Sequence, residues 1–194
     1  MIQLEVWGPY ALFTRGEMKV ERASYDVPTP SAARGIVESI YLHPGMRWVI
    51  RRIYVLNPIE FTTIRRNEVK SKILGGTAMR IAQSKEDEPY LVTTKQIVQR
   101  ASMVLTNVHY VIEAEFEMLP EKAAPGDNPG KFQDIVTRRM RKGQCFSTPY
   151  FGCREFPAHF KQWEGGPIPT IDETRDLGFM LYLSLIHISE PTRH

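Results

Sequence analysis

The segment from Thr106 to Met118 constrains the fold most, because apolar and polar side chains alternate along it. Its apolar side is formed by Val108, Tyr110, Ile112, Ala114, Phe116 and Met118. The other side carries one histidine and three glutamates, which are His109, Glu113, Glu115 and Glu117. A repeat of two residues is typical of a β-strand with one buried face and one polar face. The sequence therefore predicts a sheet with a core on one side only.

Two helices with apolar faces are predicted to cover that core. The first begins at Thr29-Pro30 and ends before Pro44, because the residue preceding a proline is disfavoured in the α conformation. Its apolar face is formed by Ala33, Ile36, Val37, Ile40 and Tyr41. The second helix has Asn128 as its N-cap, Pro129 in its first turn and Gly143 after its end. Phe132, Ile135, Val136 and Met140 share one face of this second helix.

The order of these elements predicts the fold class. Apolar alternation in Ile2 to Val6 indicates a first strand, and Met46 to Leu56 is rich in aromatic and β-branched residues. A last β-like segment runs from Phe146 to Phe160. The chain therefore reads as β-α-β, an insertion, and β-α-β. This order predicts an α+β protein with a ferredoxin-like (RNA-recognition-motif) βαββαβ core.

Composition shifts divide the chain into segments. Residues 1–145 are predicted to form the core, and the poorly patterned segment 59–101 is predicted to be an insertion of β-hairpins. Residues 146–182 are predicted to hold the last core strand and the start of a truncated, small β-rich C-terminal part. The final residues include SLIHISEPTRH, which resembles translated cloning sequence, so 183–194 are predicted to be a non-native tail.

Charge is segregated although the formal net charge is only +3. Basic residues are concentrated between Arg47 and Lys72 and between Lys131 and Lys161, whereas the stretch from Glu113 to Asp127 is acidic. If the two basic stretches meet in the fold, they form a surface that attracts phosphate backbones. The alternative is two separate solvated faces, and charge alone does not decide between them.

Several features bear on the cellular compartment and on cofactors. No apolar run approaches the length of a membrane span, so no membrane association is predicted. The N-terminus lacks the pattern of a signal peptide. Cys145 and Cys153 are the only cysteines and suggest reduced thiols rather than a zinc site or a disulfide framework. We therefore expect a cytoplasmic protein with no bound cofactor and no metal.

Four segments resemble one known family, and together they span most of the chain. They are WGPYALFTR, YDVPTPSAARGIVESIY, NPGKFQDIVTRRMRKGQCF and PYFGCREFPAHF. In this order they resemble the Cas five family, subtype d, the CRISPR-associated endoribonucleases of type I-C systems. The resemblance implies a ferredoxin-like core and metal-free cleavage of CRISPR precursor RNA at the base of the repeat hairpin. It also implies that the protein stays bound to the product as a subunit of the interference complex (Cascade).

The resemblance also implies a catalytic site. It aligns Tyr41 with the family's catalytic tyrosine and Lys131 with its catalytic lysine. Members with a full triad have a histidine directly after that lysine, where this sequence has Phe132. An apolar side chain cannot donate a proton, so either another group supplies it, or this chain cuts slowly, or it does not cut. His43 is the candidate because it lies two residues beyond Tyr41, although a histidine before a proline is often a surface or capping residue.

Basic residues elsewhere are predicted to bind RNA phosphates, because arginine makes paired hydrogen bonds to phosphate. The candidates are Arg138, Arg139, Arg141, Lys142, Arg51, Arg52 and Arg154. The cluster at the end of the second helix also complements the helix dipole, which accounts for one or two of its four charges. His109 is a weaker candidate for the missing proton donor, and His159, which follows Phe156-Pro157-Ala158, is predicted to pack.

Two functional hypotheses follow. The first is a metal-independent endoribonuclease that binds and cleaves the CRISPR repeat hairpin and then remains in Cascade with the other type I-C subunits. The second is a module of the same ancestry that holds repeat RNA or duplex DNA without cutting it. Phe132 is the residue that keeps the second hypothesis open.

Overall fold

The computed structural model describes residues 1–18, 22–70, 76, 79 and 92–181. The predicted tail 183–194 lies outside the described residues. Of the predicted insertion 59–101, residues 71–91 also lie outside them, except residues 76 and 79. The strands are β1 (Ile2–Ala11), β2 (Arg22–Ala23), β3 (Met46–Val55), β4 (Phe61–Val69), β5 (Ile97–Met118) and β6 (His159–Gln162). The helices are α1 (Pro30–Ile40), α2 (Thr93–Gln96) and α3 (Pro129–Lys142), with a 3-10 turn at Pro120–Lys122.

A six-stranded sheet and a few helices make this an α+β protein, as the sequence predicts. Strand β5 pairs with β1 and with β3, β1 also pairs with β6, and all three pairings are antiparallel. Leu4 lies opposite Ile112, and Trp48 lies opposite Phe116. These side chains point to the face that the helices cover, where Phe116 packs against Phe132 of α3 with ring centroids 6.1 Å apart.

The chain forms two compact units. The first comprises the residues up to Thr62 and those from Met103 onward, and the second is Thr63–Ser102. Within the second unit, the amide of Lys70 donates to the carbonyl of Gln96 at 2.8 Å. Strand β5 begins at Ile97, earlier than the predicted Thr106, because its first residues pair with β4 rather than cover the core.

Both long helices start at the predicted caps and α3 ends at the predicted glycine, but α1 ends at Ile40, so Tyr41, predicted on its apolar face, follows the helix in an extended conformation. The hydroxyl of Thr29 accepts from the amide of Ala32 at 3.1 Å at the start of α1. The side chain of Asn128 accepts from the amide of Lys131 at 2.9 Å at the start of α3. Gly143 ends α3 with a φ of 63°, a left-handed conformation that glycine adopts without strain. Of the four residues predicted to share the apolar face of α3, Phe132, Val136 and Met140 are buried, and Ile135 is half-buried.

The last strand is shorter and later than predicted. Only His159–Gln162 is extended in the sheet, whereas Phe146 to Phe160 was the predicted segment. Prolines in that segment cannot donate to a strand ladder, and Gly152 turns the chain with a φ of 80°. None of the described helices has the length and apolar character needed to span a membrane.

Candidate active site at the start of helix α3

Tyr41 lies directly after α1, where the chain leaves the helix. Its backbone is extended, with φ −149° and ψ 121°, and its carbonyl accepts the indole N–H of Trp48 at 2.9 Å. Only 7% of the residue is exposed, and its ring packs against Phe132 with centroids 6.0 Å apart. The end of α1 therefore places the tyrosine ring against the first turn of α3.

The protonation state of Tyr41 follows from this burial. Burial raises the pKa of the phenol, an increase that the nearby Lys131 and Arg139 cations partly offset and the Asp127 carboxylate adds to. An ordinary tyrosine already has a pKa near 10. At neutral pH Tyr41 is therefore a neutral hydroxyl that can donate and accept hydrogen bonds, and it is not a general base.

His43 stacks on Tyr41, with ring centroids 6.4 Å apart and an angle of 19° between the planes. Its other neighbour is Phe132, at 4.8 Å between centroids. The backbone N–H of Gly45 donates to Nδ1 at 3.1 Å. Since the Nδ1 lone pair is occupied, the neutral ring carries its proton on Nε2. That N–H is the group that His43 can offer to a ligand.

Lys131 meets a carboxylate that sequence reasoning missed. Its Nζ lies 2.9 Å from Oδ1 of Asp127, four residues earlier in the chain. The second oxygen of Asp127, Oδ2, accepts the amide of Ala124 at 2.9 Å and lies 3.7 Å from Nε2 of His43. Only 2% of the Asp127 side chain is exposed, whereas 47% of the Lys131 side chain is exposed. Asp127 therefore binds the lysine through one carboxylate oxygen, while its other oxygen lies beside the histidine at a distance too long for a hydrogen bond.

Hydrogen bonding keeps Asp127 ionised. The Lys131 ammonium, followed by the Ala124 amide, lowers the pKa of this carboxyl. The signal available in the sequence was the spacing of four residues between Asp127 and Lys131, which is the spacing of helical ion pairs. It was obscured because Asp127 precedes the helix and because it belongs to an acidic stretch of the chain.

Arg139 connects the two helices instead of pointing freely into solvent. Its Nη1 donates to the carbonyl of Ile40 at 2.6 Å, and its guanidinium lies over the Tyr41 ring at 5.1 Å from the centroid. The carbonyl of Ile40 belongs to the last turn of α1, where carbonyls lack helical partners. Arg138, its neighbour in the chain, is exposed.

The comparisons with known proteins agree on one family. The model for the CRISPR-associated protein family Cas5, subtype Cas5d, matches residues 1–184. The chain belongs to the Cas5d family. A relative from Mannheimia succiniciproducens, named as a CRISPR pre-crRNA endoribonuclease Cas5d, is 46% identical over 93% of this chain and 83% of its own length. A relative of the same name from Thermus thermophilus is 38% identical over 99% of this chain and 76% of its own length.

A solved structure supports the fold of this Cas5d chain. A crystal structure described as a CRISPR-associated protein superposes with a TM-score of 0.57 at 22% identity. The match covers 84% of this chain and 66% of the other chain, just under two thirds of its length. At this identity the likeness concerns the fold alone.

The other predicted RNA contacts of the Cas5d chain lie apart from the Tyr41 cluster. Arg141 and Lys142 occupy the end of α3, about 15 Å from Lys131 at 1.5 Å of rise per residue. Arg141 forms an exposed ion pair with Glu164 at 3.4 Å, while Lys142 and Arg154 are exposed. One face of α3 thus carries cations at both ends.

Arg51 and Arg52 lie on β3 and pair with glutamates of β5. Arg51 Nε is 2.8 Å from Glu115, and Arg52 Nη1 is 3.8 Å from Glu113. These ion pairs neutralise part of the positive charge of two arginines that the sequence predicts to bind RNA phosphates. Among the described residues, no group of three or more histidine, cysteine, aspartate or glutamate side chains is arranged to hold a metal ion.

Proposed function

We propose that this chain is an endoribonuclease that cleaves CRISPR precursor RNA without a metal ion at the start of α3. The observation that carries the proposal is the convergence of Tyr41, His43 and Lys131 around the carboxylate of Asp127. These side chains come from two segments almost ninety residues apart. Two relatives with this family's name are pre-crRNA endoribonucleases.

The chemistry uses the 2′-hydroxyl next to the scissile phosphate as the nucleophile. Its oxygen forms a bond to phosphorus while the bond from phosphorus to the 5′-oxygen breaks, giving a 2′,3′-cyclic phosphate and a 5′-hydroxyl. The net proton movement is from the 2′-hydroxyl to the departing 5′-oxygen. The protein must therefore orient the nucleophile, stabilise the added charge on the phosphorane and assist the leaving oxygen.

Each residue of the cluster has one role in this proposal. Tyr41, a neutral hydroxyl, hydrogen-bonds the 2′-hydroxyl and aligns it. Lys131 supplies a positive charge to the phosphorane, beside a helix N-terminus whose amides also favour anions. His43 donates a hydrogen bond from Nε2 to the leaving oxygen. Asp127 touches no RNA atom in this scheme and is a positioning residue for the lysine, and its negative charge lies beside Nε2 of the histidine.

We also propose the finer fold and the partners that the family resemblance implies. The strand order β3-β5-β1-β6, with α1 after β1 and α3 after β5, supports a ferredoxin-like core with residues 59–101 inserted. The exposed cations Arg138, Lys142 and Arg154 are assigned to RNA phosphates. The cleaved RNA stays bound as the chain takes its place in Cascade beside the other type I-C subunits.

A second function is favoured by Phe132. This residue is fully buried and packs against both Tyr41 and His43, so it serves the core and cannot replace the histidine of the full triad. A chain without that proton donor would hold the repeat RNA, or duplex DNA, without cutting it.

Incubation with a CRISPR repeat hairpin RNA in EDTA tests the two functions. The endoribonuclease gives one cut with a 2′,3′-cyclic phosphate end, whereas the binding module gives a shifted but intact RNA in a native gel. Lys131→Ala should slow single-turnover cleavage by about 10²- to 10³-fold, the effect of losing one preorganised electrostatic donor. Its RNA affinity should change little, because one phosphate contact is a small part of the total.

Lys95→Ala is the matched control, since it removes one exposed lysine from α2, outside the cluster. It should cleave at the wild-type rate. If Lys131→Ala also cleaves at that rate, the site is assigned wrongly.

A further inference from the structure

A second cluster lies on the open face of the sheet, opposite the helices. Trp7 of β1 lies between His109 of β5 and His159 of β6, its direct partners in the two neighbouring strands. His159 stacks on the indole at 5.8 Å between centroids with 27° between the planes, and His109 meets it edge-on at 6.2 Å. Lys161 Nζ lies 5.6 Å from the centre of the same ring.

The indole N–H of Trp7 is available to a ligand. The corresponding groups of Trp48 and Trp163 donate to the carbonyls of Tyr41 and Gly166, at 2.9 and 3.2 Å. Within the described part of the chain, Trp7 has no such acceptor. Buried or half-buried indoles usually find one. The exposed ring of His159 beside it adds a second aromatic surface.

A buried carboxylate organises the cluster. Glu5 has only 8% of its side chain exposed, and it contacts His109 Nε2 at 2.9 Å and Lys161 Nζ at 3.3 Å. Glu5 thus contacts both the histidine and the lysine, and the lysine is held beside the aromatic rings. The groove above them has a volume of about 500 Å³ and is also lined by Asn57 and Asn107.

We propose that this groove binds one unpaired nucleotide of RNA. Every nucleobase has a flat face that can stack on aromatic side chains, and such stacking is a general mode of single-strand recognition. The base stacks on the pair formed by Trp7 and His159, and the indole N–H, which lies in the plane of the Trp7 ring, donates to an oxygen of the adjoining ribose or phosphate. Lys161, 59% exposed, contacts the adjoining phosphate.

This inference rests on the proposed function, because it makes the groove the binding site for the single-stranded flank of the processed RNA. The groove and the Tyr41 cluster use different residues on different faces of the sheet. Their failures are therefore separable by experiment.

Fluorescence anisotropy with labelled oligo(rA), oligo(rU) and oligo(dA) of about ten nucleotides tests the groove without the hairpin. Trp7→Ala should raise the Kd for the RNA oligomers by about five- to a hundredfold, the range for losing one stacked base. His159→Ala removes an exposed ring without risk to the core and should raise the Kd severalfold. Trp7→Phe should keep most of the affinity, and Trp163→Ala, the matched control, should keep all of it.

Three outcomes test the groove and separate it from the endoribonuclease proposal. Wild-type affinity in both Trp7→Ala and His159→Ala, or no oligonucleotide binding by the wild-type protein, overturns the groove. Equal losses for the deoxy oligomer support stacking on the base, because the ribose 2′-hydroxyl then contributes nothing to the affinity. If the variants lose oligomer binding although the wild-type protein leaves the repeat hairpin intact, the groove stands and the endoribonuclease proposal fails.

Discussion

Arg139 offers a sharp test of what the cations of α3 do. The sequence assigns it to RNA, whereas the structure engages its guanidinium with the end of α1. Arg139→Ala removes a 2.6 Å hydrogen bond to the Ile40 carbonyl and a cation placed 5.1 Å above the Tyr41 ring. We expect the main effect on the stability of the fold and on the position of Tyr41.

The magnitude follows from these two contacts. A hydrogen bond from a charged donor contributes about 1.5–3 kcal/mol, and a cation over an aromatic ring contributes about 0.5–2 kcal/mol, depending on its exposure. Because both contacts use one side chain, they are not fully additive, and a loss of about 2–4 kcal/mol is expected. For a chain of this size that loss lowers the Tm by about 5–15 °C.

Thermal unfolding followed by circular dichroism measures the change, and filter binding to a repeat hairpin measures the RNA affinity. Arg138→Ala is the matched control, because it removes the same side chain from an exposed neighbouring position. It should leave the Tm within about a degree while weakening RNA binding and flattening its salt dependence. If Arg139→Ala matches Arg138→Ala in both measurements, the connection between the helices is unimportant and the reasoning is refuted.

Three further changes have defined outcomes. Asp127→Asn should slow cleavage by about ten- to a hundredfold, because Lys131 loses its ion pair and the negative charge beside His43 is removed. RNA affinity should stay level or rise as that charge leaves the site; a parallel loss of rate and affinity would contradict this. The pKa of Asp127 is lowered in the folded protein, so its stabilising effect is complete above about pH 4 and is lost at lower pH. The difference in urea midpoint between wild type and Asp127→Asn should therefore shrink on acidification. A constant difference from pH 7 to pH 2 would rule this out. Gly152→Ala places a Cβ 2.0 Å from the Leu12 carbonyl oxygen, at a φ of 80°. It should destabilise the fold by about 1–3 kcal/mol or more in chemical denaturation. An unchanged midpoint would show that the turn relaxes freely.

Local pattern was sufficient for the elements whose signal lies within a few residues. The caps at Thr29 and Asn128 and the terminal Gly143 located both long helices, because capping is satisfied by neighbours in the chain. Alternation located the core-facing residues of β5. It failed at the start of that strand, where pairing with β4 replaces contact with the core, and in the segment before β6, where prolines and Gly152 interrupt the sheet.

The polar face of the sheet illustrates what alternation cannot decide. Glu113 was expected to be solvated, yet it is 6% exposed, because Gln3, Arg52 and Tyr54 surround it from both neighbouring strands. Trp7, which joins this face, opens the segment WGPYALFTR of the family resemblance, but no sequence pattern assigned it a role.

By itself the sequence determined the family, the two long helices and the principal strands, whereas the catalytic roles of Tyr41 and Lys131, which the resemblance implies, stay a prediction. Only the tertiary structure decided that Asp127 lies between Lys131 and His43, and that the guanidinium of Arg139 donates to the carbonyl of Ile40 at the end of α1. The physical reason is that caps and periodicity act over one or two turns of chain. Ion pairs and ring contacts depend on which distant segments the packing of α1 against α3 and the sheet brings within 4–6 Å of each other.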